Sequence, residues 1–187
     1  MDAVNDKFGA TAWMDAWTEM DAERSFRYEV AGEGGSGYIR RHVFRPALAA
    51  EQKMWAAREP QRAALTLDNY SIDDRGLIPE GLAWLEVKPR RKDVLLMEGS
   101  VFVNPDDSDM VRLEGRLSKT PSFWTRRVDV VRKYDRIAGI RVPVAIESVA
   151  QVFIAGRSTF RMTYEYETIN GQRVGSPQPR APAAPNR

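Results

Sequence analysis

The chain has 187 residues, 43% hydrophobic and 29% charged, which suits a single domain large enough to bury a core. A formal net charge of +2 is too small to argue for nucleic acid, and zero cysteines exclude disulfides, thiolate metal sites and a cysteine nucleophile. One histidine, His42, argues against a multi-histidine metal centre or a Ser-His-Asp relay, and no cofactor is implied. No stretch approaches the roughly 18 apolar residues of a membrane span. Residues 1–12 lack the basic, apolar and small-residue order of a signal peptide, so two readings stay open: a cytoplasmic protein, or a targeting segment upstream of Met1.

Residues 1–11 are polar and read as a loose N-terminus. From Trp13 to Glu19 the side chains alternate, and Phe26, Tyr28 and Val30 alternate again, which predicts a hairpin around Met20–Arg24. The run Gly32-Glu33-Gly34-Gly35-Ser36-Gly37 reads as a flexible strand-to-helix connection, with Ser36 placed to cap a helix. Residues 36–58 form the one clear helical region, in two pieces meeting near Arg45 because Pro46 suits a first turn. Its second piece carries Leu48, Ala49, Gln52, Met54 and Trp55, and Glu59-Pro60 ends it.

Strand signals then recur at 67–73, 82–88, 94–103, 110–119, 124–137, 140–155 and 157–169, with turn chemistry between them. The last is the clearest: Phe160, Met162, Tyr164 and Tyr166 share one parity, while Arg161, Thr163, Glu165 and Glu167 share the other. Strands of about 10–15 residues span roughly 33–50 Å, and sheets built of them twist and curl. The fold class that follows is α+β, mainly β: a long-stranded antiparallel meander curled into an unclosed half-barrel, with helices over its open side. Domain limits of 12–172 leave a Pro-rich tail at 173–187, which reads as disordered.

Little in the chain carries chemistry. The glycine run lacks the Lys-Ser/Thr ending of a phosphate loop, and His42 sits among Arg40, Arg41 and Arg45 without a catalytic partner. The acidic residues Asp106, Asp107 and Asp109 follow Asn104-Pro105 and meet a calcium-loop pattern only loosely, so a hairpin turn is the reading. Basic residues cluster at Lys88–Lys92 and at Arg126–Arg136. Alternation sets Arg127 and Lys133 opposite Trp124, Val128, Val130 and Tyr134, which describes a solvated face rather than a nucleic-acid platform.

The apolar parity is the candidate site. Val111, Leu113 and Leu117; Trp124, Val128 and Val130; Val142, Val144 and Ile146; and Phe160, Met162, Tyr164 and Tyr166 are expected to line one concave surface. Phe44, Leu48, Met54 and Trp55 are expected on the helix that lies over it. Two readings stay open: the helix fills the face, or it covers part and leaves room for an acyl chain at about 0.8 kcal/mol per buried CH₂.

Four stretches carry a family resemblance: Glu33-Gly34-Gly35-Ser36-Gly37-Tyr38-Ile39-Arg40-Arg41, Leu113-Glu114-Gly115-Arg116-Leu117, Pro121-Ser122-Phe123-Trp124-Thr125-Arg126-Arg127-Val128 and Ala155-Gly156-Arg157-Ser158-Thr159-Phe160-Arg161-Met162. With the order of two strands, a helical segment and a long meander, they make residues 12–172 resemble the LolA/LolB-like superfamily, in particular uncharacterised outer-membrane lipoprotein-sorting proteins. The resemblance implies an unclosed barrel with a cavity for lipid acyl chains, a periplasmic or envelope location and a non-enzymatic carrier or sensor role. The expected partner is a lipid acyl chain or a lipoprotein. An envelope protein-interaction module with a filled core is the alternative, and a hydrolase acting on an amphiphile through acidic residues is a weaker one. Neither nucleic acid nor a particular oligomeric state is implied.

Overall fold

The structure is a computed structural model that describes residues 1–21, 25–56 and 60–175. In chain order it has β1 (Asp2–Asn5), β2 (Ala10–Met20), β3 (Phe26–Gly35), α1 (Gly37–Ile39), a π-helical turn (Arg40–Phe44), α2 (Arg45–Ala56) and α3 (Pro60–Ala63). There follow β4 (Tyr70–Leu77), β5 (Ala83–Pro89), β6 (Met97–Val103), β7 (Met110–Leu117), β8 (Thr125–Ile137), β9 (Ile140–Val152), β10 (Gly156–Thr163), β11 (Thr168–Ile169) and β12 (Gln172–Arg173). The first ten strands form one antiparallel sheet in the order β3-β2-β1-β10-β9-β8-β7-β6-β5-β4. It does not close, because β3 and β4 are both edges. The expected mainly-β, open, half-barrel-like architecture with a helix packed on it is therefore the one observed.

Sequential hairpins account for the meander from β4 to β10, as the alternation predicts. The N-terminus departs from its expected looseness. Asp2–Asn5 is a strand in the middle of the sheet, pairing Ala3 with Ala12 of β2 and with Phe160 of β10. The domain thus begins before residue 12 and reaches Arg173, where β12 pairs with β11 across an Asn170-Gly171 turn with both φ values positive. Residues 176–187, the rest of the expected tail, and Glu59, the expected helix end, lie outside the described residues.

The glycine run is a second correction. Gly32, Glu33, Gly34 and Gly35 belong to β3 and pair with β2, so they are ladder rather than linker. Trp13 explains the glycines. It stands opposite Gly34, and its indole nitrogen lies 2.5 Å from where a Cβ on Gly34 would be. The ring lies flat across the neighbouring strand only because no side chain stands there. Ser36 does cap the helix, its Oγ accepting from the Ile39 N–H at 3.4 Å. The two expected pieces meet at Arg45, but through the π-helical turn rather than a break.

Residues paired directly across strands share a face. Following the ladder, Ala3, Phe160, Ser148, Val130, Gly115, Gly99, Val87 and Ile72 form one row on one face. The next row on the same face is Met162, Ile146, Arg132, Leu113, Val101 and Leu85. The helix packs on this inner face: Phe44 is fully buried, with its ring centroid 6.0 Å from that of Phe160.

Two separate cores form there. One gathers Ala3, Ala12, Met14, Ile39, Phe44 and Leu48 beneath the helix; the other gathers Tyr70, Val87, Leu96 and Val101 at the β4–β6 end. The outer face is wet and laced with ion pairs such as Arg161–Glu147 at 2.8 Å and Arg116–Glu98 at 3.2 Å. Exposed pairs of this kind contribute about 0–1 kcal/mol each. At the β4 edge, Asp73, Asp74 and Arg75 with a bulge before Leu77 discourage pairing with another chain.

Candidate ligand-binding face

Between the two cores the inner face is only partly covered. Val130, Ile146, Ser148, Met162 and Leu113 are half-buried, whereas Phe44 and Leu48 under the helix and Val87 and Val101 at the far end are buried. The reason is topological. α2 lies against β3, and the π-helical turn lies against β2 and β3, so the helical cover sits over one edge and the inner face of β7–β9 is covered only in part. Met54 and Trp55 of α2 are half-buried, and the Trp55 indole N–H donates to Glu51 at 2.8 Å. Of the four expected cover residues, then, Phe44 and Leu48 anchor the helix, while Met54 and Trp55 lie at its margin.

The register brings together seven members of the expected lining and takes four out of its rows. Leu113, Leu117, Val128, Val130, Ile146, Phe160 and Met162 share the inner face by pairing. Val144 is the extra residue of a register shift opposite Lys133 and Tyr134, and its carbonyl accepts from the Tyr164 N–H at 3.0 Å. The same shift sets Val142 opposite Asp135 and takes it out of the row. Val111 is the unpaired residue of another shift, and Met110 packs against the core in its place. Trp124 precedes β8 in a loop, exposed and stacked on Phe123 at 4.3 Å, so it belongs to the end of the sheet and not to its interior. Strict alternation fails at each of these points because a bulge changes the parity of everything beyond it.

Tyr164 and Tyr166 follow β10 and keep its alternation without continuing the ladder. Their rings stack at 6.5 Å, and the Tyr166 hydroxyl donates to the Pro143 carbonyl at 2.7 Å. Burial raises both phenols above their ordinary range, Tyr166 to about 12.

Arg132 shares the parity of Val128 and Val130 and so falls on this face, although it is not among the expected lining. It stands between Leu113 and Ile146 in the inner row. Its Nε is buried without a hydrogen-bond partner, and among the described residues it makes no ion pair. Its charge acts on the phenols of both Tyr70 and Tyr164, against the burial that raises them. Tyr70 is itself held in place, its oxygen accepting from the Met97 N–H at 3.3 Å. An unpaired guanidinium on an apolar face is costly unless an anion or water meets it. The arrangement is therefore an apolar strip, bordered by tyrosines, with one positive charge along it.

The other polar features are structural. Asp109 pairs with Arg136 and Arg141, and Asp106 and Asp109 N–H groups bond to the Asn104 and Asp107 side chains, so the acidic cluster is a hairpin turn as expected. Among the described residues no three His, Asp or Glu side chains gather to hold a metal. His42 is exposed and stacks on Tyr38 at 4.4 Å. A recess of about 450 Å³ opens on the outer face beside Trp84, Glu98, Arg116 and Asp129. Its charges already pair with one another, Arg116 with Glu98 and Arg127 with Asp129.

Two buried polar knots escaped the sequence reading. Asp93 accepts from Arg62 at 2.9 Å and from the Leu95 N–H at 3.1 Å. Burial works against its charge, but the Leu95 N–H, Arg62 and Arg91 together outweigh that and hold the carboxyl below its usual range. Asn69 donates to the Gln61 and Ala64 carbonyls at 2.8 and 2.7 Å, tying α3 to the sheet. No comparison, whether with protein-family models, curated proteins or solved structures, finds a match to this chain.

Proposed function

We propose that this protein binds the acyl chain of an amphiphile, a lipid or a lipoprotein, along the inner face of its open sheet, without catalysis. The observation that supports this reading is the half-buried apolar strip between two buried cores, which is covered only in part at β7–β9. Arg132 lies in that strip with no ion pair among the described residues and its Nε buried without a hydrogen-bond partner, so an anionic headgroup or carboxylate is the polar end it suits. A chain of a dozen carbons gains at most about 10 kcal/mol from burial, at roughly 0.8 kcal/mol per CH₂. Binding costs leave part of that, enough for micromolar affinity without any catalytic group. A place in the bacterial envelope and a carrier or sensor role follow from the resemblance of the sequence to lipoprotein-sorting proteins.

Delipidated protein titrated with a fluorescent fatty acid should bind it saturably, about one per chain. Arg132→Ala should weaken binding of the acid at least tenfold while leaving binding of the corresponding uncharged alcohol nearly unchanged. No saturable uptake of either probe by folded protein would sink the proposal.

A further inference from the structure

Several exposed apolar side chains gather at one end of the sheet, while Trp17, Met20, Leu77 and Ile140 are exposed toward the other. Three loops meet there: β1–β2, β7–β8 and β9–β10. They expose Phe8 (63%), Phe123 (82%), Trp124 (49%), Phe153 (62%) and Ile154 (61%). Leu67 and Val94, in the connections before β4 and before β6, are exposed at the same end. Isolated exposed apolar residues are normal, but a contiguous group of this size marks a contact surface.

Hydrogen bonds knit the three loops into one rim. The Phe153 N–H donates to the Trp124 carbonyl at 2.8 Å, and Lys7 Nζ donates to the Ile154 carbonyl at 2.8 Å. Buried Asn5 donates to the Ala155 carbonyl and to Ser158 Oγ, both at 2.8 Å. The apolar tips are thus held outward by a fixed backbone, and no rearrangement is needed to present them.

Charge accompanies them. The Arg126 guanidinium lies 4.0 Å from the Phe153 ring centroid, and the Lys7 ammonium 5.7 Å from that of Phe8. Lys7, Lys92, Lys119 and Arg126 make no ion pair among the described residues, whereas of the nearby acids Asp6 pairs with Arg157, Asp129 with Arg127 and Asp93 with Arg62, leaving Asp68 exposed beside Leu67. At the opposite end of the sheet, Asp107 and Asp109 of the β6–β7 turn are paired with Arg136 and Arg141. Aromatic tips among unpaired cations suit a surface with negative headgroups over a hydrocarbon interior.

We infer that this rim docks the protein on an anionic lipid bilayer, with Phe123, Trp124, Phe153 and Ile154 entering the interface and Lys7, Lys119 and Arg126 meeting the headgroups. Docking here requires no ligand on the inner face, so it stands or falls apart from acyl-chain binding.

The test is co-sedimentation of the full chain with vesicles of phosphatidylcholine alone or mixed with phosphatidylglycerol, at low and high salt. Each basic residue near an anionic surface contributes about fivefold in affinity, and salt screens that contribution. Binding should therefore favour the mixed vesicles and weaken with salt. The triple variant Phe123→Ser, Phe153→Ser, Ile154→Ser should lose at least tenfold in affinity, as should Lys7→Glu with Arg126→Glu. Leu77→Ser, at the other end, should bind as the parent does; it and the triple variant should melt as the parent does because the changed side chains are exposed, and the charge-reversed pair is compared at a temperature where it is folded. The inference is overturned if the parent chain binds no vesicle at low salt, if it binds phosphatidylcholine equally well, or if the triple variant binds as the parent does. It is also overturned if the triple substitution instead abolishes self-association of the chain without vesicles, which makes the rim a protein interface.

Discussion

Gly99 of β6 and Gly115 of β7 stand opposite each other in register on the inner face, with no room for a side chain on either. A Cβ on Gly99 would lie 2.5 Å from the Gly115 Cα and overlap the Glu114 carbonyl; one on Gly115 would lie 2.8 Å from the Gly99 Cα and overlap the Glu98 carbonyl. Backbone cannot give way as a flexible side chain can. Gly99→Ala or Gly115→Ala should therefore each cost at least about 2 kcal/mol in urea unfolding, more than an ordinary overpacking change of one methyl. An unchanged midpoint would mean that the strands do not approach so closely.

The helical segment is held by buried Ile39, Phe44 and Leu48, with Phe44 the deepest, and the strip by half-buried side chains. Phe44→Ala should cost about 3–5 kcal/mol, because the ring is fully buried between helix and sheet. Met162→Asp and Leu113→Asp place a charge on half-buried positions, where part of the cost is relieved by water. They should cost about 1–3 kcal/mol and abolish fatty-acid binding in protein that still melts cooperatively. Normal binding by either folded variant would contradict the assignment of the inner face.

The β8–β9 hairpin turns on Ala138 and Gly139, with φ of 49° and 77°. Two positive values in a two-residue loop match the tight turn in which Asn precedes Gly, and alanine adopts that conformation at a cost. Ala138→Asn should therefore raise stability by about 0.5–1 kcal/mol. A lowered melting temperature would show that the turn is strained for another reason.

Buried phenols make stability depend on alkaline pH. The Tyr166 hydroxyl is raised to about 12 by burial, and Tyr164 is raised too, against about 10 in the unfolded chain. A folded-state value above the unfolded one gives stability that is whole below pH 10 and lost as pH rises toward 12 and beyond. The slope of melting temperature between pH 10 and 12 should be visibly shallower in Tyr164→Phe, Tyr166→Phe than in the parent. Tyr166→Phe alone should also cost about 1 kcal/mol at neutral pH for the lost bond to Pro143.

At the other extreme, Asp93 is held below its usual range in the folded chain. Its contribution is present above the unfolded value near 3.9 and is lost as pH falls through the lower, folded one. Asp93→Asn should cost about 2 kcal/mol at pH 7, since the carboxylate is buried against Arg62, and the deficit should shrink in acid. A deficit equal at pH 7 and pH 3 would show that charge plays no part.

The strand content, the hairpins from β4 onward, the helix and its Ser36 cap follow from local chemistry: period-two alternation, turn residues and a hydroxyl before a helical run. The order of exposed and inner positions in β10 follows in the same way, because neighbouring side chains on a strand must point to opposite faces. Three things depended on the folded chain. Asp2–Asn5 is too short and too polar to signal a strand, and its partner on β10 lies more than 150 residues away, beyond any local pattern. The register shifts at Phe102/Val103 and Lys133/Tyr134 exchanged Met110 for Val111 and removed Val142, since one extra residue reverses the parity of all that follow. That Arg132 finds no ion pair among the described residues, and that Phe8, Phe123 and Phe153 gather at one rim, are products of pairing between distant segments, and only the tertiary structure decided them.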